Sequence, residues 1–123
     1  MKKILIMAYK KICAIVVDDS MLDCFIAERV LKDANKFETI RTFQSGNEAI
    51  EFIAKAPIED DAKTLLLVDI RMPKMDGFEF IQQFDTLPQN IKNAYAIFLV
   101  NSSINDRDLA RVKEYSSIKL IGQ

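Results

Sequence analysis

The sequence predicts a single α/β domain built on a parallel β-sheet, and three observations carry that expectation. Short apolar runs alternate with segments of helical period from end to end. Two of these runs, Ile12–Val17 and Leu65–Val68, have the length and continuous apolarity of strands buried on both faces. Both lead directly into acids, Asp18-Asp19 and Asp69, at the strand's carboxyl end. Right-handed crossovers then leave only a few arrangements of strands.

The elements follow in order. After Ile12–Val17, a helix is expected over Ser20–Ala34, where Leu22, Phe25, Ile26, Val30 and Leu31 recur at helical spacing and Ser20 with Asp23 forms a candidate cap. Phe37–Phe43 is a short alternating strand. Ser45-Gly46-Asn47-Glu48 opens a second helix to about Lys55, with Ala49, Ile50, Phe52 and Ile53 as its apolar face. The acidic stretch Pro57–Lys63 reads as a solvated loop. Thr64–Asp69 is the next strand, followed by a loop and a third helix over Gly77–Phe84 that packs through Phe80, Ile81 and Phe84. Pro88–Asn93 reads as a turn and Tyr95–Val100 as another buried strand. Ser103 and Asp106 are candidate caps for a helix to about Tyr115, and Ile118–Ile121 is a last short strand.

Composition narrows the function. The chain has 123 residues, half of them apolar, with a formal net charge of −1, which fits one ordinary globular domain. No basic stretch tracks a phosphate backbone, so nucleic-acid binding is not expected. Histidine is absent, which removes histidine-based acid–base catalysis and most transition-metal sites. Cys13 and Cys24 lack the paired spacing of a zinc site and read as small buried hydrophobes in a reducing compartment. The opening Met1–Lys11 has a positive start, but its apolar stretch is too short for a signal sequence or a membrane span. A cytoplasmic location without membrane attachment is expected.

Singly, each acid at a strand end is most often a turn former or a helix cap. Jointly, Asp18, Asp19 and Asp69 lie at the one edge of a parallel sheet where ligands bind. Carboxylates so placed raise each other's pKa unless a cation or a proton intervenes. All-oxygen donors select a hard cation, and Mg²⁺ suits a site of one or two carboxylates with room for water or phosphate oxygens. A magnesium ion beside a free carboxylate fits phosphoryl transfer, with the acid as nucleophile and an aspartyl phosphate as product.

These residues carry a resemblance. Val16-Val17-Asp18-Asp19-Ser20, the run Leu67-Val68-Asp69-Ile70-Arg71-Met72-Pro73-Lys74-Met75-Asp76-Gly77 and the alternating pattern resemble a bacterial response-regulator receiver domain over about Lys11–Ile121. The resemblance implies a flavodoxin-like, doubly wound five-stranded sheet of order 2-1-3-4-5. It also implies a phosphoacceptor role in two-component signalling, with Asp69 taking a phosphoryl group from a sensor histidine kinase or phosphotransfer protein. Asp18, Asp19, Asp69 and the backbone carbonyl of Arg71 would hold Mg²⁺. Met72 and Pro73 would shape the adjoining loop, and Asp76 and Gly77 would turn the chain into the third helix. Such a domain modifies itself and turns over no outside substrate. Residues 1–10 are then an N-terminal extension and 11–123 the receiver domain, short at its C-terminus.

The chain departs from that pattern in two places. Where the family carries a hydroxyl after the fourth strand, the simplest register gives Asn101, with Ser102 as the alternative one residue on. Where the family carries a lysine after the fifth strand, Lys119 lies inside the strand instead, and no fifth helix follows Gln123. One sheet face would then be covered by the first helix alone, which favours association between copies unless Ile4–Met7 folds back over it. Two other readings compete. One is a degenerate receiver that only binds proteins. The other is a magnesium phosphohydrolase of the haloacid-dehalogenase kind, disfavoured because position 71 is Arg rather than a second Asp. A nucleotide site is not expected, because Ser45-Gly46-Asn47 is a single-glycine turn.

Overall fold

The structure, a computed structural model, describes residues 9–101 and 118–122. Five strands, β1 (Lys11–Val17), β2 (Thr39–Phe43), β3 (Ala62–Asp69), β4 (Tyr95–Asn101) and β5 (Ile118–Gly122), form one sheet of order β2-β1-β3-β4-β5 with every neighbouring pair parallel. Between them lie the helices α1 (Met21–Ala34), α2 (Gly46–Lys55), α3 (Gly77–Asp85) and the four-residue α4 (Gln89–Lys92). The doubly wound order implied by the resemblance is the order found. The register places Asp69 beside Val100, so the carboxyl ends of β3 and β4 lie at one edge.

Local chemistry sets the helix starts. The Ser20 side chain accepts from the Asp23 amide and that of Ser45 from the Glu48 amide, each satisfying a donor the helix itself leaves open. Asp76 caps α3 in a full capping box, its carboxylate accepting from the Glu79 amide while Glu79 accepts from the Asp76 amide. α1 ends at Asn35, which takes the left-handed conformation that asparagine tolerates well.

The core is one cluster. Ile15 and Val17 of β1, Leu66 and Val68 of β3, and Ile97 and Leu99 of β4 pack against Ala49 and Ile53 of α2 and Phe78, Phe80, Ile81 and Phe84 of α3. Burying a side chain of this size stabilises by about 1.5–3 kcal/mol, so this face anchors the domain.

Four local expectations change. Pro88–Asn93 is not a simple turn, because Gln89–Lys92 winds one helical turn. The acidic loop is solvated over Pro57–Asp61 as expected, with Glu59 accepting from Lys11 at 2.6 Å, but β3 already begins at Ala62 within its expected span. The apolar stripe of α1 is not buried: Leu22, Phe25, Ile26 and Val30 are 66, 62, 50 and 63% exposed, and Cys24 is the buried member of this helix. Cys13, expected buried, is half-buried, and both cysteines are free thiols. The expected helix from Ser103 and Asp106 to Tyr115, Ser102, and residues 1–8 of the extension lie outside the described residues.

Candidate functional site

Asp18 follows β1 and Asp69 ends β3, adjacent parallel strands, so one sheet edge brings them together. Asp18, Asp19 and Asp69 each offer an oxygen such that all three lie within 4.8 Å of one another. No other grouping of three potential metal ligands is found among the described residues. The three acids singled out from the sequence are therefore the three the fold gathers.

Asp18 is the most constrained of them. Its amide donates to the Phe43 carbonyl at 3.0 Å, its side chain accepts from the Ser20 amide at 3.0 Å, and its carbonyl accepts from Cys24 Sγ at 3.2 Å. Asp19 is exposed, with its carbonyl accepting from Gln44 Nε2 at 3.4 Å. Asp69 is half-buried and accepts from the Arg71 amide at 3.3 Å.

Packing holds the loop after Asp69. The Ile70 amide donates to Val100 and the Gly77 amide donates back to Ile70, closing the loop at both ends. A Cβ at Gly77 would stand 2.9 Å from Ile70 Cα and 3.0 Å from the Asp69 carbonyl oxygen, so a side chain there would push the backbone that carries the acid. Met72 and Ile70 are buried. Met75 packs over Gly46 at the start of α2, where a Cβ would lie 2.8 Å from its sulfur. That link, and the Cys24 bond to Asp18, join residues far apart in sequence and carry no motif. Asp76 with Glu79 does carry one, the capping-box spacing.

The electrostatics follow from crowding. Burial, then the neighbouring Asp18 charge, pushes the Asp69 carboxyl up to about 6, against a lowering by the Arg71 amide. Asp18 is raised as well, chiefly by burial. Burial and the Asp18 charge push the Cys24 thiol up to about 11, so it is an inert packing group rather than a nucleophile. Three oxygen donors, two of them partly desolvated and made costly by each other's charge, fit a hard divalent cation. Asn101 closes β4 one residue beyond the partner of Asp69, paired with Gly122, and Lys119 lies within β5 opposite Phe98.

Residues 14–118 match the family model of the response regulator receiver domain. The chain belongs to that family, the phosphoacceptor module of two-component signalling. Its fold is similar to a response regulator receiver protein from Dyadobacter fermentans, with TM-score 0.83 and 27% identity over 91% of this chain and 86% of the other. A two-component response regulator from Cytophaga hutchinsonii superposes with TM-score 0.76 at 24% identity, covering 93% of this chain and 86% of its own. The receiver domain of the histidine kinase CKI1 from Arabidopsis thaliana, crystallised with Mg²⁺, shares the fold at TM-score 0.72 and 16% identity, over 89% and 81% of the two chains. A protein-glutamate methylesterase/protein-glutamine glutaminase from Rhodopseudomonas palustris is 30% identical over 77 residues, 63% of this chain. The aligned part is 20% of that relative's length. No described helix is long and apolar enough to cross a membrane.

Proposed function

We propose that Asp69 is the phosphoryl acceptor, charged by a phosphohistidine on a sensor kinase or phosphotransfer protein in the cytoplasm. The observation that carries the reading is the meeting of three carboxylate oxygens within 4.8 Å at the carboxyl edge of the sheet. Asp18, Asp19 and Asp69, with the backbone carbonyl of Arg71, would hold Mg²⁺. When bound, that ion offsets charge on the acids and on the phosphoryl oxygens. Asp18 is pre-set for this by the Ser20 and Cys24 bonds, and Asp69 is oriented by the Arg71 amide. A carboxylate oxygen of Asp69 attacks phosphorus, the phosphorus–nitrogen bond to the donor imidazole breaks, and the acyl phosphate remains on the domain. Asn101, or Ser102 beside it, serves as the contact to the phosphoryl group.

The receiver unit is residues 11–123 with 1–10 as an extension, and it modifies itself without turning over an outside substrate. The test is intact-mass measurement after incubation with acetyl phosphate and Mg²⁺. Wild type should gain one phosphoryl group and Asp69→Asn none, while Asp19→Asn should need more Mg²⁺ for the same yield. Equal labelling of the Asp69→Asn protein rules Asp69 out. Sustained multiple turnover of a small phosphate ester would favour the hydrolase instead.

A further inference from the structure

Asp18 and Asp19 are consecutive, and that sets a geometric condition on the site. Side chains that follow one another in an extended chain point to opposite sides. Here both carboxylates reach within 4.8 Å of each other and of Asp69. The chain accordingly bends at Asp19, directly after β1. The peptide group between the two acids sets that bend. Turning it swings one carboxylate relative to the other, so whatever holds its carbonyl also holds the spacing of the acids.

That carbonyl belongs to Asp18, and it accepts from Cys24 Sγ at 3.2 Å. The thiol is itself firmly placed. Cys24 is 5% exposed, the buried residue of α1, and its amide donates to the Ser20 carbonyl at 3.0 Å. Its sulfur also lies 4.0 Å from the Phe43 carbonyl oxygen, which accepts from the Asp18 amide at 3.0 Å. The thiol thus bridges the ends of β1 and β2 at the point where the chain leaves the sheet. Burial and the Asp18 charge push its value up to about 11, so it keeps its proton and remains a donor at neutral pH. One residue on, the Asp19 carbonyl accepts from Gln44 Nε2 at 3.4 Å, a longer bond from an exposed side chain. Water competes for that bond, whereas the thiol contact is shielded.

We infer that Cys24 is a positioning residue for the divalent cation, given Asp18, Asp19 and Asp69 as the Mg²⁺ site. It acts through the Asp18 carbonyl and touches neither the ion nor the phosphoryl group. Outer groups that orient metal ligands change metal affinity by about 10–100-fold when removed.

The experiment titrates the full chain with Mg²⁺ and follows the Ser20 amide by NMR, because that amide donates to the Asp18 carboxylate at 3.0 Å. Cys24→Ala, which removes the donor, should raise the Mg²⁺ midpoint about tenfold. Cys24→Ser keeps a donor and should hold the midpoint close to the wild-type value. Cys24→Val fills the buried space without a donor and should match Cys24→Ala, even where the smaller residue folds poorly. An unchanged midpoint in the Ala and Val variants overturns the inference. An equal rise in the Ser variant also overturns it and leaves the thiol a packing role alone. A wild type that does not respond to Mg²⁺ overturns the reading of the site itself, and this inference with it.

Discussion

Leu66 and Leu67 are neighbours in one strand with the same side chain, yet they belong to different environments. Leu66 is fully buried beneath α2 and α3, and Leu67 is half-buried on the side of α1. The same division runs through β4, where Ile97 and Leu99 are sealed while Phe98 and Val100 are not. Composition cannot explain it, since both faces are apolar. Helix placement does: among the described residues two capped helices close one face, while α1 packs chiefly against β1 and β2 on the other.

The largest effect should separate the two leucines. Leu66→Ala removes atoms from a closed core and should cost about 3–4 kcal/mol in denaturant unfolding, whereas Leu67→Ala should cost about 1 kcal/mol. Equal costs would break the comparison.

A smaller effect lies at the edge, where Asp69 continues the alternation of Leu65 and Leu67. Its folded value of about 6 lies above the ordinary 3.8, so the native state holds that proton more tightly than the unfolded chain. This contribution to stability is therefore complete below about pH 4 and lost as pH rises through about 6. The shift sets a ceiling of about 3 kcal/mol, which partial solvent exposure reduces to on the order of 1–2 kcal/mol. Denaturant midpoints in chelator should fall between pH 4 and 7. Asp69→Asn should flatten the slope, and saturating Mg²⁺ should raise the midpoint at pH 7. A flat profile for wild type in chelator would show that the acids are less crowded than their geometry implies.

The smallest effect belongs to the outer side of α1. Lys32 pairs with Glu28 at 3.0 Å, but both groups are solvated. Lys32→Ala should change stability by less than about 0.5 kcal/mol, so charge pairing does not compensate this helix for its exposed apolar residues.

Much of this was legible in the chain. Apolar runs ending on acids gave β1, β3 and the positions of Asp18, Asp19 and Asp69, because a parallel strand must be apolar on both sides and its carboxyl end must stop at a turn. Ser20 and Ser45 marked their helices through side chains that bond within three residues. α4 escaped because four residues carry no period. The stripe of α1 misled in a specific way. Helical spacing of Leu22, Ile26 and Val30 shows that one flank is apolar, but not whether anything lies against it.

Local chemistry, written in neighbours along the chain, thus determined the strands, the caps and the candidate acids. The tertiary structure alone decided that three acids from two strands meet within 4.8 Å, that Cys24 fastens Asp18, that Met75 seats on Gly46, and that Leu66 and Leu99 are sealed while Leu67 and Phe98 are half-buried. The reason is distance along the chain. Each of these depends on groups brought together by strand order and crossover hand, and no local pattern encodes how far a helix reaches across a sheet.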